Sequence, residues 1–440
     1  MMDRSKGTNR TTPIGLRLAG ALVLGLFVAL AGVPGDAHAQ ADKAANEKKK
    51  KEERKNFAAG EWAFKKLSAA QEAMEEERYA DALALMNDMT NRKSLNDHEK
   101  ALMYQTFAFI YSSQGKYKEA IPYFEKCLAQ DAMPESAARQ TEYNLAQLYM
   151  STERFRDALS ILEPWLKQAD NPSASAYYLV AMAHVQLENA KAALPYARMA
   201  VKKSKKPRES YLQMALALEF ENKNLKHVAR LLEVLITYFP KKSYYMQLAA
   251  VYAELGKDKK SLAAMELAYL QGMLTSEQEL VRLAQAYLYH EIPYKAATVL
   301  EKGIENNQIE ANAKNLQSLG NAWLHARELN RALDPLKRSA MKSSDGNLFV
   351  RIAQVHLERG ENAEAIAALQ KGLAKGGLDD PGNAYLLVGI AHTTAKRYGP
   401  AREAFAKAGN YEKSRTAAAQ WMRHVEQQEA VEQTEAVEQT

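Results

Sequence analysis

One stretch, returning about every 35 residues, restricts this chain more than any other feature. In "YQTFAFIYSSQGKYKEAIPYFEKCL", from Tyr104, a small residue follows the first aromatic by four and a tyrosine comes three later. A glycine then marks a bend, and Tyr-x-x-Ala follows with Phe four beyond that alanine. The order recurs from Tyr143, Tyr177 and Tyr245. A small residue opens each second helix at Ala82, Ala120, Ala158, Ala193, Val228, Ser261, Ala296, Ala332, Ala365 and Ala401, at gaps of 38, 38, 35, 35, 33, 35, 36, 33 and 36. A companion series in the first helix, Ala70, Ala108, Ala146, Ala181, Leu216, Ala249, Ala284, Gly320, Ala353 and Gly389, keeps the same period. Two registers sharing one period over ten units do not arise by chance.

Small residues at these sites let two helices approach closely, while large residues fill the spaces between. One helical pair cannot bury its apolar stripe alone, so neighbours must stack. Composition agrees, because Gly (21) and Pro (13) are scarce in 440 residues and the abundant Ala, Leu, Glu, Lys and Gln favour helix. A net charge of +6 is small for this length and gives no argument for nucleic acid.

The pattern resembles the tetratricopeptide repeat, a helix–turn–helix with large residues at positions four, seven, eleven, seventeen and twenty-four and small ones at eight, twenty and twenty-seven. The resemblance covers roughly residues 63–410. It implies an all-α tetratricopeptide-repeat superhelix (an α-solenoid) of about ten helix–turn–helix units plus a C-terminal capping helix. The array is expected over 61–410, the capping helix over 411–427 through Trp421 and Met422, and a disordered acidic tail over 428–440. The pattern departs at His184 and Ala197, and Leu216 and Val228 stand where small residues are usual, so packing should loosen there.

Residues 1–39 read as a signal peptide. Arg4, Lys6, Arg10 and Arg17 precede the apolar run Leu18 to Leu30, and Pro34 comes before Ala37, His38 and Ala39, with cleavage expected near Ala39. The run is shorter than the ~20 residues that span a bilayer. Residues 40–60 form a charged lead-in. A periplasmic location is expected, with a charge of +4 once the leader is removed. Cys127 is the only cysteine, so no intrachain disulfide forms.

The most enzyme-like cluster is Tyr287, Tyr289, His290, Glu291 and Tyr294, with Pro293 among them. In the repeat register Tyr287 is the packing tyrosine of position eleven, His290 and Glu291 form the bend, and Pro293 lies in the first helical turn, where its missing N–H is not needed. The bend accounts for every residue; acid–base chemistry needs a pocket that the register does not supply. His184, His356 and His392 also fall at position eleven and read as polar-tipped packing residues. There is no H-E-x-x-H, no paired Cys and no Asp-rich loop, so neither a metal nor a cofactor is expected, and no catalytic residue is assigned. "KGLAKGG", Lys371 to Gly377, follows a helix rather than a strand and reads as a helix end. Cys127, at a small position, reads as buried packing. The basic run "VKKSKKPRESY", Val201 to Tyr211, is either a solvated connector or a contact for an acidic partner or a lipid headgroup.

The resemblance further implies that positions five and nine of the first helices line an inner groove. These carry Gln105, Tyr143, Tyr178, Gln213 and Gln317, and Phe109, Gln147, Gln285, Asn321 and Gln354 respectively, with Met246 and Met182 among them. Long amides and phenols suit an extended peptide, so the expected partner is a protein or peptide. The stretch "TSEQELVRLAQAYLYHEIPYKAATVLEKGIE" resembles one in exported tetratricopeptide proteins associated with proteobacterial TonB–ExbB–ExbD systems, which implies a scaffold accessory to energised uptake. Two alternatives stand beside it: a scaffold for envelope or exopolysaccharide assembly, and a polysaccharide-processing enzyme, for which the repeats leave no catalytic domain.

Overall fold

A computed structural model describes residues 58–438, with side chains to residue 433. The expected leader, residues 1–39, and nearly all of the expected charged lead-in lie outside the described residues. Among these there are 21 helices and no strand. The first five pairs are α1 (Glu61–Glu75) with α2 (Tyr79–Thr90), α3 (Asp97–Ser113) with α4 (Tyr117–Ala129), α5 (Glu135–Ser151) with α6 (Phe155–Gln168), α7 (Ala174–Gln186) with α8 (Ala190–Lys203), and α9 (Glu209–Glu221) with α10 (Leu225–Tyr238). The second five are α11 (Lys242–Glu254) with α12 (Asp258–Leu270), α13 (Glu277–Tyr289) with α14 (Pro293–Glu305), α15 (Ala313–His325) with α16 (Leu329–Lys342), α17 (Asn347–Glu358) with α18 (Asn362–Lys375), and α19 (Pro381–Thr394) with α20 (Tyr398–Gly409). The last helix, α21, spans Glu412–Glu438. The expected ten pairs are present, and the chain is an all-α repeat superhelix.

Each pair turns by the same device. Position fifteen has a left-handed backbone in all ten units, with φ from +56° to +77° at Glu77, Gly115, Glu153, Glu188, Lys223, Gly256, Glu291, Arg327, Gly360 and Lys396. The next N–H reaches back to the carbonyl of position eleven, as Ile292 does to Tyr287 at 2.8 Å and Arg154 to Tyr149 at 2.8 Å. This closing bond satisfies carbonyls that the helix end would otherwise leave open. Only three of the ten are glycine, so most bends hold a strained side-chain-bearing residue.

The small positions are buried as the period requires. Ala108, Ala120, Ala146, Ala158, Ala181, Ala193, Ala296, Ala332 and Ala401 have no exposed surface. Gly320 and Gly389 are smaller still for a packing reason. A Cβ on Gly320 would lie 2.5 Å from Leu336 Cγ, and one on Gly389 would overlap the Phe405 ring. The core is uneven along the array. One cluster runs from Ala108 to Ala183 and a larger one from Leu212 to Ala404. Between them lies a small, alanine-rich cluster of Ala181, Ala193, Leu194, Ala197, Ala215 and Leu218. Of the positions where the pattern departs, Ala197 lies in this cluster, while Leu216 and Val228 are buried in the larger one.

The C-terminal boundary needs correction. The helix expected to end at 427 continues through the segment read as a disordered tail, up to Glu438. Ala418 and Val425 are buried, and Trp421 stacks on Phe405 at 5.9 Å. Beyond them Glu429 pairs with Arg402, and Glu432 with Lys396 at 2.6 Å. Ion pairs to the last repeat hold a segment whose few apolar residues gave no sign of packing.

Candidate functional site

The His290–Glu291 cluster does not assemble into a site. His290 caps α13 and Glu291 is exposed at φ +58°. Tyr289 is 76% exposed and meets His290 edge-on at 5.2 Å. Pro293 is the first residue of α14. Tyr287 is buried, while Tyr294 packs edge-on against Trp323 at 5.3 Å in the next unit. No group of three or more His, Cys, Asp or Glu is placed to hold a metal among the described residues. Cys127 is fully buried, with its thiol pushed up to about 12 by burial, and its Sγ lies 3.3 Å from Met133 Sδ. A thiol so poorly ionised is a poor nucleophile.

Position eleven proves to be half of a polar ladder between units. Tyr149 donates its hydroxyl to Glu125 at 2.5 Å, and His184 Nε2 lies 3.0 Å from Glu163. Tyr252 bonds Glu233, and Tyr287 bonds Glu266. In each case the glutamate is position twenty-five of the preceding unit. Burial, then the adjacent carboxylates, raise the phenols of Tyr149 and Tyr287, and that of Tyr252 to about 12. All stay protonated and serve as donors. One rung is inverted, with Glu219 at position eleven and Arg198 at twenty-five. Arg198 grips the carboxylate with Nε at 2.7 Å and Nη2 at 3.0 Å, and His227 Nδ1 approaches at 3.1 Å. Burial works to raise the Glu219 pKa, but the bonds from Arg198 and His227 outweigh it and the net shift is downward. The ladder stops after Tyr287. Glu301 turns to Arg331, whose guanidinium covers Trp323 at 3.5 Å. His356 turns to Glu361 of its own bend at 2.6 Å, and the buried Nδ1 of His392 finds no partner among the described residues.

The expected groove residues divide into two sets. In the first half of the array most are occupied. Gln105 donates to Thr141 at 2.8 Å, and Gln213 donates to Tyr244 at 2.5 Å, beside the Glu209–Lys241 pair. Phe109 packs edge-on against Phe124 at 5.3 Å, Tyr143 lies 5.1 Å from Trp165, and Tyr178 stacks on Tyr211 at 4.5 Å. Gln147 is half-buried. Gln105, Tyr178 and Gln213 join one unit to the next, and Phe109 and Tyr143 join the two helices of their own unit, which leaves them less to offer a ligand. In the second half, Gln285, Gln317 and Gln354 are exposed, and Asn321 is half-buried with its Oδ1 unpartnered among the described residues. Gln354 lies at the mouths of two shallow cavities of about 400 and 280 Å³. Arg351, Asp379 and Asp380 line the second of these. The surface is therefore more charged there than positions five and nine indicate, because Arg351 occupies position six and the aspartates belong to the turn that leads into α19.

Two family models described as tetratricopeptide repeat match residues 111–183 and 350–420. A comparison with curated proteins finds no match. Among solved structures, the chain resembles YrrB, a tetratricopeptide protein with an unusual peptide-binding site, at 21% identity, over 38% of this chain and 83% of that one, with TM-score 0.32. A tetratricopeptide repeat protein from Parabacteroides merdae matches at 16% identity over 68% of this chain and all of its own, with TM-score 0.36. MamA from Desulfovibrio magneticus matches at 18% identity, over 41% and 96%, with TM-score 0.34. The family models fall on units whose bends and small positions have just been described, and the described residues form an all-α repeat superhelix.

Proposed function

We propose that this protein is a non-catalytic periplasmic scaffold for protein–protein interaction, accessory to a TonB-dependent uptake system. Tetratricopeptide repeats generally bind protein or peptide partners, and the fold is typically a non-catalytic scaffold. The observation that carries the reading is the exposed row Gln285, Gln317 and Gln354 on successive alternate helices α13, α15 and α17. Each amide both donates and accepts, which matches an extended backbone. The periplasmic assignment rests on the leader-like residues 1–39, and the TonB association on the resemblance carried by Thr275 to Glu305. No helix among the described residues is long and apolar enough to cross a membrane.

The test is direct binding of the purified chain to the isolated periplasmic domains of TonB and ExbD. The reading expects one of them to bind, and expects Gln285→Glu, Gln317→Glu and Gln354→Glu together to weaken binding about tenfold or more. Binding to neither domain overturns the TonB association. Undiminished binding by the triple variant overturns the groove.

A further inference from the structure

The inverted rung marks a cavity that the groove does not include. Arg198, Val201 and Lys202 of α8, Tyr211, Leu212, Ala215 and Glu219 of α9, and Leu231 and Val234 of α10 enclose about 300 Å³, open to solvent. Its cause lies in the sequence. Glu219 stands where Tyr149, Tyr252 and Tyr287 fill the sister units, so the ring volume is missing. Leu216 and Val228, both buried, stand where those units bring α-helices together on alanine or serine. A ring is absent here, and two larger residues stand at the contact between α9 and α10.

The lining has two chemistries. The floor is apolar, made by Leu212, Ala215, Leu231 and Val234, while Lys202, Arg208 and Arg230 stand at the rim. The only lining carboxylate, Glu219, has 2% of its side chain exposed and is already neutralised by Arg198. Lys202, Arg208 and Arg230 form no ion pair with the described residues. Lys203, Lys205 and Lys206 continue the positive charge along the exposed connector. At about 3.6 residues per turn, Tyr211, Leu212, Ala215 and Glu219 lie between a quarter and a half turn round α9 from Gln213, so the cavity opens on a different face of α9 from that groove amide.

The geometry points to a second docking site here, for an acidic segment of a partner protein that inserts one apolar side chain between α8, α9 and α10. Charge complementarity identifies the occupant's sign, and the volume, at the small end of the ~300–1,000 Å³ of ligand pockets, holds one side chain rather than a cofactor. Lys203, Lys205 and Lys206 add charge on the exposed connector between the rim residues Lys202 and Arg208, outside the cavity itself, which matches an acidic chain rather than a small apolar acid. The inference rests on the scaffold reading and names the partner's chemistry at a site separate from the groove.

Fluorescein-labelled peptides of sequence EEFEE, EEGEE and KKFKK, with blocked termini, provide the probes for anisotropy titration against the full chain. EEFEE is expected to bind at least about tenfold more tightly than EEGEE, because only it fills the apolar floor, and KKFKK is expected not to bind. Lys202→Glu with Arg230→Glu should abolish binding. The pair Arg198→Glu with Glu219→Tyr should also abolish it, by filling the cavity while leaving the rim lysine and arginines. Circular dichroism and urea midpoints check that these variants fold. Glu substitutions at Gln285, Gln317 and Gln354 should leave EEFEE binding unchanged while weakening the groove partner, so the two sites fail separately. Equal binding of EEFEE and EEGEE, failure of EEFEE to bind, or 3-phenylpropionate competing at the same concentration as EEFEE would each overturn the proposal.

Discussion

Exchanging the inverted rung for the ordinary one measures how much the ladder contributes. Glu219 is almost wholly buried and Arg198 is 44% exposed in its side chain. Arg198→Glu removes a two-pronged bond and sets a second carboxylate against the first, leaving only His227 as a partner. Stranding a buried charge costs about 3–5 kcal/mol, and the open side of Arg198 favours the lower end, about 3 kcal/mol. Glu219→Tyr strands only the half-exposed Arg198, which water can reach, for a loss of about 1 kcal/mol. Additive behaviour would put the double variant about 4 kcal/mol below the parent. The sister rungs Glu125–Tyr149, Glu233–Tyr252 and Glu266–Tyr287 predict otherwise. The new phenol would donate to the new carboxylate and its ring would fill the cavity. The double variant should therefore lie within about 1 kcal/mol of the parent, a coupling of about 3 kcal/mol. Equilibrium urea unfolding, with hydrogen exchange resolving α8 to α10, gives the four values. Additivity within about 0.5 kcal/mol would refute the ladder as an energetic feature.

Other outcomes follow from the same geometry. Glu291→Gly should raise stability by about 0.5–1 kcal/mol, since relief of the left-handed backbone exceeds the entropy that glycine adds; a clear loss in the urea midpoint would mean the carboxylate does more than turn the chain. Gly389→Ala should cost about 1–3 kcal/mol against the Phe405 ring, and Phe405→Leu should recover part of it in thermal unfolding. Burial, then Arg397, lowers the pKa of His392, so the folded state favours the neutral ring. Its contribution is present above the unfolded value near 6.5 and is lost as pH falls below it, so acidification should loosen α19 and α20 in hydrogen exchange, and His392→Tyr should remove that dependence. Glu279 is held at about 2 by its bond from Lys242 and its capping of α13 with Ser276. That contribution holds above about pH 4.5 and is lost towards pH 2, so Glu279→Gln should flatten the acid limb of the stability curve between those values.

Much of the fold was legible because helical pairs repeat their small residues at a fixed period. The bend was less legible. Gly115, Gly256 and Gly360 announce a left-handed residue, but Glu153, Glu188 and Lys223 adopt the same backbone with side chains that give no such signal. The ladder was hidden because its partners lie on different helices, 24 residues apart for Tyr149 and Glu125 and 21 for His184 and Glu163. Aligning position twenty-five with position eleven of the next unit would have exposed it, together with the charge reversal at Arg198 and Glu219. The groove was read from register alone, and register does not say whether an amide is occupied. Gln105 and Gln213 bond the following unit, whereas Gln285, Gln317 and Gln354 face solvent. The continuation of α21 past 427 depended on Arg402 and Lys396 meeting acids that composition alone assigned to a tail.

The central claim is that partners bind along the exposed amides of the first helices in the second half of the array. A photo-reactive benzoylphenylalanine placed singly at Gln285, Gln317 or Gln354, and for comparison at the exposed second-helix residues Lys302 and Lys371, tests it in cells. The account predicts crosslinks to one and the same partner protein from the three amide positions and none from the two lysines. Crosslinks to that partner from Lys302 and Lys371 alone would contradict it.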